Sequence, residues 1–153
     1  MKIYMDVCCL CRPYDDQQVP RIRYESEAII AILDRCSRDW ELVGSSAITY
    51  EIAKILDHQK KHYISSFAAK TKMNVLVDRN IRERAEVFMG WGIKAVDALH
   101  VACAEKSEAT VFLTTDDGLK NIMSHHNDTM SIRIVNPAAW YEEVTGNESE
   151  DIA

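Results

Sequence analysis

Apolar positions fall in short blocks separated by longer amphipathic stretches. Residues 2–10, KIYMDVCCL, are apolar, β-branched or sulfur-bearing around one central charge, the pattern of a strand buried on both faces of a parallel sheet. A polar loop, RPYDDQQV, follows, and Pro20 stands where a helix can start, since the missing N–H costs nothing in a first turn. Ala28, Ile29, Ile32, Leu33 and Cys36 then recur at helical spacing, with Arg21, Arg23, Glu25, Glu27, Arg35 and Arg38 mostly outside that stripe. Residues 40–43 read as a short strand, and Ser45 or Ser46 can cap a helix running through Ile48, Glu51, Ile52 and Ile55. Beyond it come a polar helix over 58–72, a β-like run over 73–77 and a charged helix over 79–89 that stops near Gly90 and Gly92. KAVDALHVACAEK is helical and alanine-rich, TVFLTT a buried strand, DDGLKNIMSHH a short helix and SIRIV a last strand before Asn136-Pro137. Strands alternate with helices throughout, which predicts a three-layer α/β/α fold with a largely parallel sheet.

The chain has 153 residues, enough for one core, and no internal repeat or linker divides it. No apolar run approaches the length of a membrane span. The opening MKIYMDVCCL lacks the unbroken apolar stretch of a signal peptide, so a cytoplasmic address is expected. The net charge of −6 argues at face value against a phosphate-bearing partner. It is unevenly placed, however: Glu142, Glu143, Glu148, Glu150 and Asp151 lie in residues 141–153 with no base among them. Residues 1–140 carry 19 acids against 18 bases and form the expected single domain, followed by an acidic tail expected to fray. Five cysteines, an odd number with no secretion signal, argue against a disulfide framework.

In a parallel α/β sheet the working face is the crevice beyond the carboxyl ends of the strands, and four acids stand in telling places relative to it. Asp6 lies within the first apolar run, where a charge is costly unless paired or bound to a cation. Asp116 follows the TVFLTT strand, Asp97 stands among small apolar residues near a helix start, and Glu51 lies early in the helix after the second strand. Singly, Asp116 reads equally well as a cap, Glu51 as a solvated residue and Asp97 as a helix-start residue. Together, three of the four are carried by a strand end or a helix start that a parallel sheet brings to one edge. Converging carboxylates repel, and one or two hard divalent cations, Mg²⁺ or Mn²⁺, resolve the repulsion while activating water for displacement at phosphorus.

The segments IYMDVCCL, SSAITYEI, DALHVACA and FLTTDDGL, in that order across almost the whole chain, resemble the PIN-domain family of metal-dependent nucleases, which includes the VapC-type toxins of toxin–antitoxin pairs. The resemblance implies a parallel five-stranded sheet and an acidic quartet on Asp6, Glu51, Asp97 and Asp116. It further implies Mg²⁺ or Mn²⁺ as cofactor, RNA as substrate, and a short antitoxin or a second copy of the chain as partner. The family usually places a small hydroxyl or amide residue one and two positions after the first aspartate, where this chain has Val7 and Cys8. Valine has no polar group and a thiol bonds weakly, so the alternative expectation is a PIN-fold module that binds RNA or protein with little or no catalysis.

Around this core, Asp117 is a candidate auxiliary ligand or helix cap, and Thr114 and Thr115 are candidates to support a carboxylate. Arg12, Arg21, Arg23, Lys54 and Lys94 are candidates for phosphate contact, Arg12 foremost because it follows the Asp6 segment most closely. His100, one turn after Asp97, is placed to orient it, while His125 and His126 read as surface residues. Cys8 and Cys11 form a C-x-x-C, but it runs into Arg12-Pro13 and not into a helix start, which weakens a redox reading. Cys8, Cys9 and Cys11 lack a nearby fourth zinc ligand in the sequence.

Overall fold

The computed structural model describes residues 1–152. In chain order its elements are β1 (Lys2–Met5), α1 (Val7–Cys11), α2 (Pro20–Cys36), β2 (Glu41–Ser45), α3 (Ser46–Ala53), α4 (His58–Ala68), β3 (Met73–Val75), α5 (Arg79–Gly90), α6 (Ala95–Lys106), β4 (Val111–Leu113), α7 (Asp117–Ser124), β5 (Arg133–Val135) and α8 (Pro137–Ile152). The five strands form one sheet, all pairs parallel, in the order β3-β2-β1-β4-β5. The chain thus builds outward from β1 to one side and then returns to build the other. With right-handed crossovers this reversal puts helices on both faces, α2 packing on α8 and α5 on α6. The predicted α/β fold with its parallel five-stranded sheet is the fold observed.

The centre of the sheet is the centre of the core. Ile3, Tyr4 and Met5 of β1 and Val111, Phe112 and Leu113 of β4 are wholly buried, as strands covered on both faces must be. Tyr4 stacks on Phe112 with ring centroids 5.4 Å apart.

One expectation is corrected. The apolar run 2–10 is not one strand: β1 ends at Met5, and Asp6 caps α1 by accepting the Cys9 N–H at 3.1 Å. Burial of Val7, Cys9 and Leu10 explains the unbroken apolar pattern, which a buried helix and a buried strand share. The acidic segment from Tyr141, within the described residues, continues α8. Its acids find bases on the body, Glu143 pairing with Arg133 and Glu148 with Arg35, while Trp140 packs on Trp40. No helix of the described residues is long and apolar enough to cross a membrane.

Candidate functional site

The sheet order reverses at β1, so a crevice opens beyond the carboxyl ends of β1 and β4. Asp6 stands at its floor, buried, with its backbone N–H donating to the Leu113 carbonyl of β4 at 3.2 Å. Its Oδ1 accepts the Cys9 N–H and also the Cys8 thiol at 2.8 Å. Asp116 leaves the end of β4 and caps α7, accepting the Leu119 N–H at 3.1 Å. Asp97 sits in the first turn of α6, after a turn in which Gly92 adopts φ +100°, a conformation that L side chains resist. Glu51 lies toward the end of α3, whose start is capped by the Ser45 hydroxyl. These four acids, with Val7, Cys8 and Thr115, line one cleft of about 130 Å³. A neighbouring pocket of about 210 Å³ shares Asp97 and Asp116 with it and adds Gly92 and Lys94. The most voluminous groove, about 440 Å³ between α2, β2 and α4, contains none of the four acids.

The cleft is short of positive charge. Burial pushes the Asp6 carboxyl well above the usual carboxylate range, and the neighbouring Cys8 pushes it further. Burial likewise raises Asp97; His100 opposes this, while the charges of Asp116 and Glu51 add to it. Asp97 therefore feels two other members of the quartet through space. Among the described residues, Asp6, Cys8 and Cys9 form the one trio of candidate ligands whose donor atoms lie within 4.8 Å of one another; no trio drawn from the four acids does. Hard oxygen donors that line one cleft, repel and stand apart suit a hydrated Mg²⁺ or Mn²⁺, which takes one or two carboxylates directly and keeps several waters. Cys9 is the weakest donor of its trio, since it is buried with its thiol directed at the Leu113 carbonyl, 3.4 Å away.

Other candidates are differently employed. Arg12, expected foremost to meet phosphate, is committed to the buried Glu25 through Nε and Nη2 at 2.9 and 2.8 Å, and to Asp15 at 3.2 Å. Glu25 itself, expected outside the apolar stripe of α2, is buried and also takes the Asn136 amide at 2.6 Å. Asp117 is outside the lining of the quartet's cleft and is a bidentate partner of Arg21 at 2.7 and 2.9 Å. That pairing holds the Asp117 carboxyl below its ordinary value. Lys54 lies over the Tyr50 ring, 4.3 Å from its centroid. Arg23 is exposed on α2, outside the cleft lining. Lys94, exposed and beside Asp97 in the neighbouring pocket, is the cation nearest to the role proposed for it. Thr114 is buried and accepts the Asp116 N–H at 3.1 Å, and the Thr115 hydroxyl donates to Cys8 Sγ at 3.2 Å. His125 is exposed as expected, whereas His126 stacks on Trp91 with centroids 3.7 Å apart.

His100 serves a different acid from the one expected. Its Nε2 meets Glu51 Oε1 at 2.7 Å, not Asp97, and its Nδ1 meets the Tyr4 hydroxyl at 2.7 Å. Sequence reasoning missed Tyr4 and read Ser45 only as a helix cap, which it is, not as a hydrogen-bond partner of Tyr4. Their signal was slight, a polar-tipped aromatic in a strand otherwise buried on both faces and a serine at a helix start.

This is the fold that the PIN-domain resemblance implies. A chain in the crystal structure of VapBC2 from Rickettsia felis bound to a DNA fragment from their promoter shares it with a TM-score of 0.56. The two are 13% identical, and the match covers 89% of this chain and 98% of that one. At that identity the likeness establishes the fold. No family model matches the sequence, and no curated protein matches it closely.

Proposed function

We propose that this protein is a divalent-metal-dependent ribonuclease that hydrolyses RNA phosphodiester bonds. The observation that carries the reading is the meeting of Asp6, Glu51, Asp97 and Asp116 in one cleft at the point where the sheet order reverses. Asp6, Asp97 and Asp116 would hold Mg²⁺ or Mn²⁺, and Glu51 would complete the ligand set or position the attacking water. When bound, such an ion activates water and offsets charge on the phosphate and the leaving oxygen. Lys94, at the rim beside Asp97 and Asp116, meets a phosphate of the bound strand. Thr115 and Cys8 shape the wall against which the strand lies.

The same reading includes a protein partner of the antitoxin kind and self-association as a homodimer, supported by the fold shared with a VapBC2 chain. A cytoplasmic setting belongs to this reading too.

The test is cleavage of an unstructured RNA with Mn²⁺, with Mg²⁺ and with chelator. Cleavage is expected with either ion, is abolished by chelation, and is lost in well-folded Asp6→Asn and Asp97→Asn proteins. Retained cleavage in either variant removes that residue from the mechanism. A second reading, a PIN-fold module that binds RNA or protein with weak or no catalysis, is favoured by the Cys8 thiol on Asp6. A calorimetric titration showing no uptake of Mg²⁺ or Mn²⁺ at millimolar levels supports that reading instead.

A further inference from the structure

A chain of short hydrogen bonds runs behind the cleft. Ser45 Oγ and the Tyr4 hydroxyl lie 2.7 Å apart, the Tyr4 hydroxyl and His100 Nδ1 lie 2.7 Å apart, and His100 Nε2 lies 2.7 Å from Glu51 Oε1. Tyr4 and His100 are wholly buried and Ser45 nearly so, while Glu51 keeps about a third of its side chain in solvent. The chain joins three elements: Tyr4 from the central strand, His100 from the middle of α6, and Ser45 at the cap of the helix that carries Glu51.

The direction of these bonds is fixed from their open end. An ionised carboxylate only accepts, so the imidazole presents Nε2–H to Glu51. In a neutral imidazole Nδ1 is then the acceptor and takes the Tyr4 O–H. Tyr4 in turn accepts the Ser45 O–H, and Ser45 accepts the Ile48 N–H as the cap of α3. Every group in the chain is satisfied, which a buried polar network requires if it is to hold one geometry. The opposite direction turns a bare Nε2 toward a carboxylate.

We infer that His100 is a positioning residue for Glu51. Fixed by Tyr4 and Ser45, it holds Oε1 and leaves Oε2 as the one oxygen of Glu51 offered to the cleft. The role in catalysis rests on the ribonuclease reading; the hydrogen-bond direction does not. Glu51 reaches the site from a short helix with a rotamer-rich side chain, and truncating its buried partner frees that side chain without touching the other three acids. Partners that orient a ligating carboxylate are commonly worth 10–100-fold in affinity or activity, and a similar loss is expected here.

The experiment has two arms. Long-range ¹H–¹⁵N spectra of the metal-free protein, at about pH 8 where an ordinary imidazole is neutral, are expected to show His100 with Nε2 protonated and Nδ1 bare. The Tyr4→Phe protein is expected to move the Nδ1 resonance by removing its donor. An Nδ1-protonated imidazole overturns the inference whatever the protein catalyses. In the second arm, His100→Met fills the volume without a donor and His100→Gln restores an N–H toward Glu51. Cleavage by His100→Met is expected to fall about 10- to 100-fold in kcat with little change in KM, and His100→Gln to recover most of it. Equal losses in both variants, or none in His100→Met, overturn the positioning role. A wild-type protein that does not cleave RNA refutes the ribonuclease reading, and the spectra still decide the geometry.

Discussion

Cys8 directs its thiol at Oδ1 of Asp6 across 2.8 Å, so the most deeply placed carboxylate of the cleft has a sulfur neighbour. A thiol is a weak donor and a large one, and charge on its sulfur adds to the upward pressure that burial puts on the Asp6 carboxyl. Serine at this position keeps a donor, is smaller, and supports the carboxylate in its charged form. Cys8→Ser is therefore expected to tighten Mn²⁺ binding about three- to tenfold by calorimetry, since roughly 1.4 kcal/mol corresponds to tenfold. Unchanged or weaker binding shows that the thiol does not handicap Asp6.

Repulsion within the quartet has a measurable sign. The Asp97 carboxyl is raised by burial and by the charges of Asp116 and Glu51, so its folded-state pKa lies above its unfolded one. Folding then favours the protonated form, and ionisation costs stability above the folded pKa. Asp97→Asn is expected to leave the metal-free protein as stable as wild type or more so at pH 7, by a Tm rise of about 2 °C at most. That advantage shrinks as pH falls through the raised pKa and vanishes below the ordinary carboxylate range. A clear drop in the Tm of the metal-free variant makes Asp97 structural.

Arg12 and Lys94 separate structural from substrate-facing charge. Removing Arg12 leaves Glu25 buried with only the Arg21 contact at 3.3 Å and the Asn136 amide. Arg12→Ala is expected to cost about 3 kcal/mol in denaturant unfolding, because an uncompensated buried charge is expensive. Lys94→Ala is expected to leave unfolding unchanged and to lower the salt slope of RNA binding by about 0.7, the share of one phosphate contact on a single strand. A stable Arg12→Ala protein, or an unaltered salt slope in Lys94→Ala, contradicts these assignments.

How far the sequence carried this picture depended on the physics behind each pattern. The alternation of β-branched runs with amphipathic stretches was enough for a parallel α/β sheet, because burial on both faces leaves few other patterns. That Asp6, Asp97 and Asp116 line one cleft was legible since strand ends and helix starts have fixed places in such a sheet, whereas Glu51 reaches that cleft from near the end of α3. The boundary at Asp6 was not, as Val7, Cys9 and Leu10 are buried whether helical or extended. Glu25 looked solvated because its neutralising partners, Arg12 and Asn136, are 13 and 111 residues away. The same distance problem hid the 2.7 Å bonds that tie Tyr4 and Glu51 to His100. The tail looked disordered from its charge alone, whereas its acids pair with Arg35 and Arg133 of the body.

The central claim is that four carboxylates form one divalent-cation site, and anomalous diffraction from a Mn²⁺-soaked crystal tests it most directly. The account predicts manganese density in the cleft bounded by Asp6, Glu51, Asp97 and Asp116, and its loss in Asp97→Asn. Manganese seated away from that cleft, or none there at millimolar Mn²⁺, contradicts it.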